Sequence, residues 1–142
     1  MSVRTYRTAS EAETIALGER LGRELPRRAV ILLSGDLGAG KTTLAKGIAK
    51  GLGAADPDEV SSPTFTLIHE HGRLYHVDLY RLDTLREVET LGLEEILDRD
   101  AVVLVEWGER FPGLFPADRI EIRLRAQDDE RLIEVTQPFT NT

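Results

Sequence analysis

The chain contains no cysteine. That excludes disulfides, thiolate zinc sites and a cysteine nucleophile, and it leaves the redox compartment undetermined. Positive charge is also short: 18 basic residues stand against 25 acidic ones, a net charge of −7. The surface as a whole therefore repels a polyphosphate backbone, which argues against unaided nucleic-acid binding. Long apolar runs are missing too. Even AVILLSG and AVVLVEWG end within eight residues, far below the ~20 that a membrane-crossing helix needs. The opening MSVRTYRTASEAET is polar and has none of a signal peptide's apolar stretch. The expectation is a soluble, cytoplasmic protein with no membrane partner.

The 142 residues suit one domain and one dominant site. Ser10 with Glu13 three residues on is a capping-box pattern, and Leu17, Leu21 and Leu25 then recur at steps of four. A helix over about 10–25 is expected, closed before Pro26. AVILL, residues 29–33, reads as a strand buried on both faces of a parallel sheet. Leu44, Ile48 and Leu52 mark a second helix over 41–52, punctuated by Gly51 and Gly53. Residues 65–80 carry two β-prone stretches around His71-Gly72 and predict an antiparallel hairpin attached to the sheet. LREVETL follows as a helix capped by Thr84, with Glu87 three residues on. AVVLVE is a second buried strand ending at Glu106, and IEIRLRA and RLIEVT around QDDE make a closing hairpin. The fold class expected is α/β: a P-loop NTPase three-layer fold with a mostly parallel central sheet and antiparallel hairpin additions. It occupies 1–142 as a single domain, with 136–142 as a loose tail.

Residues 35–42, GDLGAGKT, match G-x-x-x-x-G-K-[ST] without a gap. Small residues let such a loop curl so that successive N–H groups point at phosphate oxygens, and the helix that follows adds its positive end. Lys41 is placed to reach the β and γ phosphates and Thr42 to offer its hydroxyl to magnesium, with Gly38, Ala39, Gly40 and Thr43 as further nucleotide contacts. The plain alternative is a glycine-rich strand-to-helix turn with an incidental lysine. The pattern arises by chance in a chain this long at on the order of 0.5 per cent, and the correct strand and helix flanks favour the nucleotide site.

Such a site needs a carboxylate at the end of a neighbouring strand. Glu106, after VVLV, fits best, against the reading of a solvated strand-end glutamate. Asp78, closing YHVD, fits the magnesium shell, the orientation of an attacking water, or a simple cap on the turn before Thr84. SSPTF, residues 61–65, occupies the place of a nucleotide-sensing switch loop, with hydroxyls at Ser62 and Thr64, or is an ordinary Ser/Pro turn. Arg81 suits a phosphate or partner contact, or lies along the surface by its aliphatic stem. Trp107 serves packing at the sheet's edge or contact near the nucleotide. His69, His71 and His76 alternate along a strand pair and are not read as ligands. No asparagine-lysine-x-aspartate string for guanine is present, and little chain remains for a lid over a phosphoryl acceptor. ATP hydrolysis is therefore favoured. No arginine finger or water-orienting glutamine can be assigned, and a finger alone is worth about 10³ to 10⁵ in rate, so slow intrinsic turnover that a partner accelerates is expected.

Taken in order, GDLGAGKTTLAKGIAKGLG, SSPTFTLIHEH, YHVDLYRL and VVLVEWGER resemble the TsaE family, formerly called YjeE. The resemblance runs from the Ser10 helix to the last hairpin, no motif position departs from it, and SPTF, DLYRL and VEW together are more specific than the P-loop alone. It implies a bacterial ATPase that supports synthesis of N6-threonylcarbamoyladenosine (t6A) in tRNAs reading codons that begin with A, without being the transferase. The partners it implies are TsaB and TsaD, whose complex the family joins and resets by ATP hydrolysis, with tRNA reached only through that complex. Position by position, it makes Lys41 the phosphate lysine, Thr42 and Glu106 the Mg2+ ligands, Asp78 important for turnover, Thr64 part of the switch-like loop and Trp107 the neighbour of the acidic residue. The implied catalytic set is Lys41, Asp78, Glu106 and Thr64. The resemblance also places Glu11 near the adenine and makes Arg131 a weaker nucleotide contact; the spacing alone shows neither.

Two rival readings stay open. A P-loop small-molecule kinase would need an acceptor pocket and a closing lid. A nucleotide-switched binding module would use ATP to order the SSPTF loop and create a partner surface without needing hydrolysis.

Overall fold

The computed structural model describes residues 2–36, 40–60 and 67–138. Ser10 opens the first helix as its sequence predicts. It is extended, with φ −155° and ψ 163°, and its hydroxyl accepts the Glu13 N–H at 3.1 Å while the Glu13 carboxylate turns back to the Ala9 N–H at 3.3 Å. The helix, α1 (Glu11–Glu24), stops at Leu25, which is extended ahead of Pro26. The strand β2 (Ala29–Gly35) is apolar throughout its first five positions because both faces are covered. Ala29, Ile31 and Leu33 join one buried cluster and Val30 and Leu32 the other. β5 (Val102–Glu106) alternates in the same way.

Seven strands form one sheet in the order β1-β7-β6-β2-β5-β4-β3. Its centre is the parallel run of β6 (Ile120–Gln127), β2, β5 and β4 (Leu74–Asp78). The antiparallel additions are β3 (Ile68–His71) on β4, and β7 (Glu130–Gln137) on β6. The first of these is the hairpin expected over 65–80, and Gly72 turns it with φ +57°. The helices α1 and α2 (Lys41–Gly51) cover one face; the short α3 (Leu85–Glu89) and α4 (Leu93–Leu97) cover β2, β4 and β5 on the other. The result is three layers. Among the described residues, no helix is long and apolar enough to cross a membrane.

Besides the unanticipated helix α4, two features of the sheet depart from expectation. A strand not anticipated, β1 (Ser2–Thr8), pairs antiparallel with the whole of β7. That pairing takes Thr136 and Gln137 out of the loose tail expected over 136–142, since Thr136 lies opposite Val3 and Gln137 opposite Ser2 in a regular ladder. Residues 139–142 lie outside those described.

Glycines bring α1 and α2 into backbone contact. A Cβ on Gly18 would stand 2.5 Å from the Leu44 carbonyl oxygen, and one on Gly47 only 2.2 Å from that of Ile15; Gly22 and Gly51 meet backbone at 2.5 and 2.1 Å. Residue 18 lies against 47 and 22 against 51, so the two helices run parallel. Their first turns therefore reach the same edge of the sheet, where β2, β4 and β5 also end. Leu17 and Leu21 of α1 and Leu44 and Ile48 of α2 fill the space beside the glycines, and each such side chain contributes about 1.5–3 kcal/mol by burial.

Candidate active site

At that edge lies a cleft of about 1250 Å3. Crevices beyond the carboxyl ends of parallel strands are the usual ligand sites of α/β sheets. The first turn of α2 forms its floor. Gly40 precedes this helix with φ +99° and offers no capping side chain, so nothing from the cap residue competes with an anion for the N–H groups of the first turn. Gly40, Lys41, Thr42 and Thr43 line the cleft from this side, and Thr8, Ser10, Glu11 and Thr14 line it from the end of β1 and the start of α1. Asp78, Glu106 and Trp107 close it from β4 and β5, and Arg123, Arg125 and Arg131 border it from the β6–β7 hairpin.

The parallel register sets Asp78 directly beside Glu106. Both are carboxylates in a wall of apolar strand, 9% and 4% exposed. The Lys41 ammonium stands 3.9 Å from Glu106 Oε1 and 4.9 Å from the centre of the Trp107 ring, so an anion and a π-face both neighbour it. Glu106 Oε2 lies 2.7 Å from Nε2 of the fully buried His76. Asp78 Oδ1 accepts the Tyr80 N–H at 2.9 Å, so the turn-capping role is realised. Burial pushes the Asp78 carboxyl above its ordinary value of 3.8. The Tyr80 N–H opposes that rise, the Glu106 charge adds to it, and His76 and Lys41 reduce it.

Trp107 holds a left-handed backbone, φ +65°, which turns the chain sharply out of β5. Its ring packs at 5.0 Å on Tyr80, and the Arg110 guanidinium lies 5.0 Å from the ring centre of Trp107 and 5.7 Å from that of Tyr80. Arg110 also donates to the carbonyls of Tyr80 and Leu82, at 2.9 and 3.2 Å. This ties the segment after Asp78 to the segment after Glu106. Arg131 reaches across the loop's end, its Nε 3.9 Å from where a Cβ on Gly40 would stand.

One cleft thus gathers Glu11, Gly40, Lys41, Thr42, Thr43, Asp78, Glu106, Trp107 and Arg131, which the sequence places far apart. Gly38, Ala39 and Thr64 lie outside the described residues. Arg81 is exposed and does not line the cleft.

A protein-family model described as "Threonylcarbamoyl adenosine biosynthesis protein TsaE" matches residues 8–133. The chain belongs to the TsaE family. Among the TsaE proteins it resembles, that of Nostoc sp. PCC 7120 is 46% identical over 94% of this chain and 85% of its own length. The one from Bacillus subtilis is 43% identical over 92% and 84%, and the one from Treponema pallidum 42% over 84% and 90%. Each is named a tRNA threonylcarbamoyladenosine biosynthesis protein. The crystal structure of YdiB from Bacillus subtilis superposes with a TM-score of 0.77 at 35% identity, covering 96% of this chain and 86% of that one. The TsaE match contains every cleft residue from Thr8 to Arg131.

The linear reading misses Arg123 and Arg125 in the lining of this TsaE cleft and Arg110 beside Trp107, and two further parts that set its geometry. One is His76, whose signal is a polar residue two positions from Asp78 and therefore on the same strand face. The other is a hydroxyl pair, Thr8 Oγ1 to Thr14 Oγ1 at 2.7 Å, with Thr14 also donating to the Ser10 carbonyl at 3.2 Å. It pins the end of β1 to the first turn of α1.

Proposed function

We propose that this TsaE-family chain is a magnesium-dependent ATPase that supports t6A modification of tRNA by acting on the TsaB–TsaD complex. The observation that carries the reading is the convergence of the part-buried Lys41 and the buried Glu106, 3.9 Å apart, at the first turn of α2. A cation, a carboxylate and a helix terminus brought together between β2, β5 and α2 support the reading of a P-loop NTPase.

The donor set fits magnesium, because the Thr42 hydroxyl and the Glu106 carboxylate are hard oxygens on the floor and wall of one cleft. Bound with the triphosphate, the metal would neutralise charge on the β and γ oxygens. Lys41 leaves Glu106 and Trp107 for the phosphates as a mobile point charge. Burial raises the affinity of the Asp78 carboxylate for a proton, which suits its ionised form to orient the attacking water and accept its proton. Glu11 and Arg131 border the nucleotide site where β1 pairs with β7 and leads into α1, and Trp107 packs beside Lys41. The roles expected of Gly38, Ala39 and Thr64 complete the cradle and the switch loop.

A net charge of −7 supports docking on proteins, with tRNA met through TsaB and TsaD and not gripped alone. Work on tRNA with these proteins places the chain in the cytoplasm. Turnover is slow in the chain by itself and rises with its partners.

The test is t6A formation by TsaB and TsaD with wild-type chain or Glu106→Gln. The reading predicts that Glu106→Gln binds ATP but fails to sustain repeated rounds of modification. Full support by this variant would overturn hydrolysis as the working step and favour a nucleotide-switched binding module.

A further inference from the structure

We propose that His76 is the positioning residue for Glu106, holding one carboxylate oxygen so that the other faces Lys41 and the metal position. The inference rests on the ATPase reading above. His76 occupies the middle of β4 among Leu74, Tyr75 and Val77 and has no exposed surface. In the parallel register it lies opposite Leu104, two residues short of Glu106. Residues two apart on a strand share a face, so the imidazole reaches diagonally along the sheet to Glu106 Oε2 at 2.7 Å.

The two ring nitrogens are in opposite situations. An ionised carboxylate only accepts, so Nε2 carries the proton it donates. Nδ1 is buried and has no partner among the described residues, so a proton there would be an unsatisfied donor in the core. A proton on Nε2 meets both conditions. With Oε2 engaged, Glu106 is held at the end of β5 with Oε1 turned to Lys41 at 3.9 Å. Residues that hydrogen-bond a metal-binding carboxylate typically change metal affinity or activity by about 10–100-fold when removed.

The experiment compares wild type, His76→Leu and His76→Gln in the full chain. ADP binding is measured in EDTA, and Mn2+ binding to the ADP-loaded protein by electron paramagnetic resonance; thermal unfolding reports folding. A glutamine amide places a donor near the Nε2 position and leucine does not. Expected results are ADP affinity in EDTA within about threefold for all three proteins, Mn2+ affinity lowered about 10–100-fold in His76→Leu, and most of that loss recovered by His76→Gln. In wild type, nitrogen-15 NMR of the histidines, assigned with His69 and His71 variants, should show His76 protonated at Nε2. A folded His76→Leu with wild-type Mn2+ affinity overturns the proposal. A ring protonated at Nδ1 also overturns it, and that measurement decides even if His76→Leu does not fold. A wild-type chain that binds neither ADP nor Mn2+ would instead sink the ATPase reading on which the role depends.

Discussion

Replacing Gly47 by Ala should break the contact that carries both walls of the cleft. The added Cβ would lie 2.2 Å from the Ile15 carbonyl oxygen and 2.8 Å from Gly18 Cα. Carbon and carbonyl oxygen approach comfortably only to about 3.3 Å, so α1 and α2 must part by about 1 Å. Both obstacles are backbone, so no rotamer change relieves them. Overpacking of this kind costs about 1–3 kcal/mol or more, and the separation loosens Leu17, Leu21, Leu44 and Ile48 beside the glycines. Alanine returns about 1 kcal/mol through its better helix propensity. The net expectation is a loss of about 2 kcal/mol, seen as a melting temperature lower by roughly 4–8 °C in a domain of this size. Thermal unfolding of Gly47→Ala should be run beside Gly113→Ala, where the new Cβ would meet nothing within 4 Å. A Gly47→Ala protein as stable as wild type would refute the backbone contact.

Two further outcomes follow from the cleft. Lys41→Ala should lower ATP turnover by on the order of 10²-fold or more, measured as phosphate release, while the chain remains folded. Asp78→Asn should raise stability at neutral pH and keep the turn, since its amide oxygen still accepts from Tyr80. The sign follows from the raised folded pKa of Asp78: the favourable neutral form is fully present below 3.8 and lost as pH rises through the higher folded value. The advantage of Asn should therefore be largest near pH 7 and vanish below 3.8, as followed by urea unfolding across pH; an advantage constant with pH would contradict the assigned cause.

Local chemistry made much of this molecule legible. Ser10 and Glu13 cap α1 where the pattern says they should, and the two apolar runs become β2 and β5 because both their faces are buried. Asp78 and Glu106 are each readable as strand-end carboxylates, yet only the β4–β5 register makes them neighbours. β1 was hidden for a physical reason. SVRTYRT is an edge strand with little buried surface, and its conformation is set by pairing with β7, which is nearly the whole chain away. The glycines of α1 and α2 read as neutral or as helix-ending, since a backbone-to-backbone crossing depends on which helix lies opposite. His76 was opaque because a polar residue in a strand declares its partner only when the neighbouring strand is in place.

The account stands most directly on ATP hydrolysis by the purified chain, alone and with TsaB and TsaD, tRNA present, with Glu106→Gln as the blank. It predicts slow phosphate release from the chain alone, a clear rise on adding the two proteins, and none above background from the variant. A rate indifferent to TsaB and TsaD, or equal in Glu106→Gln, would contradict it.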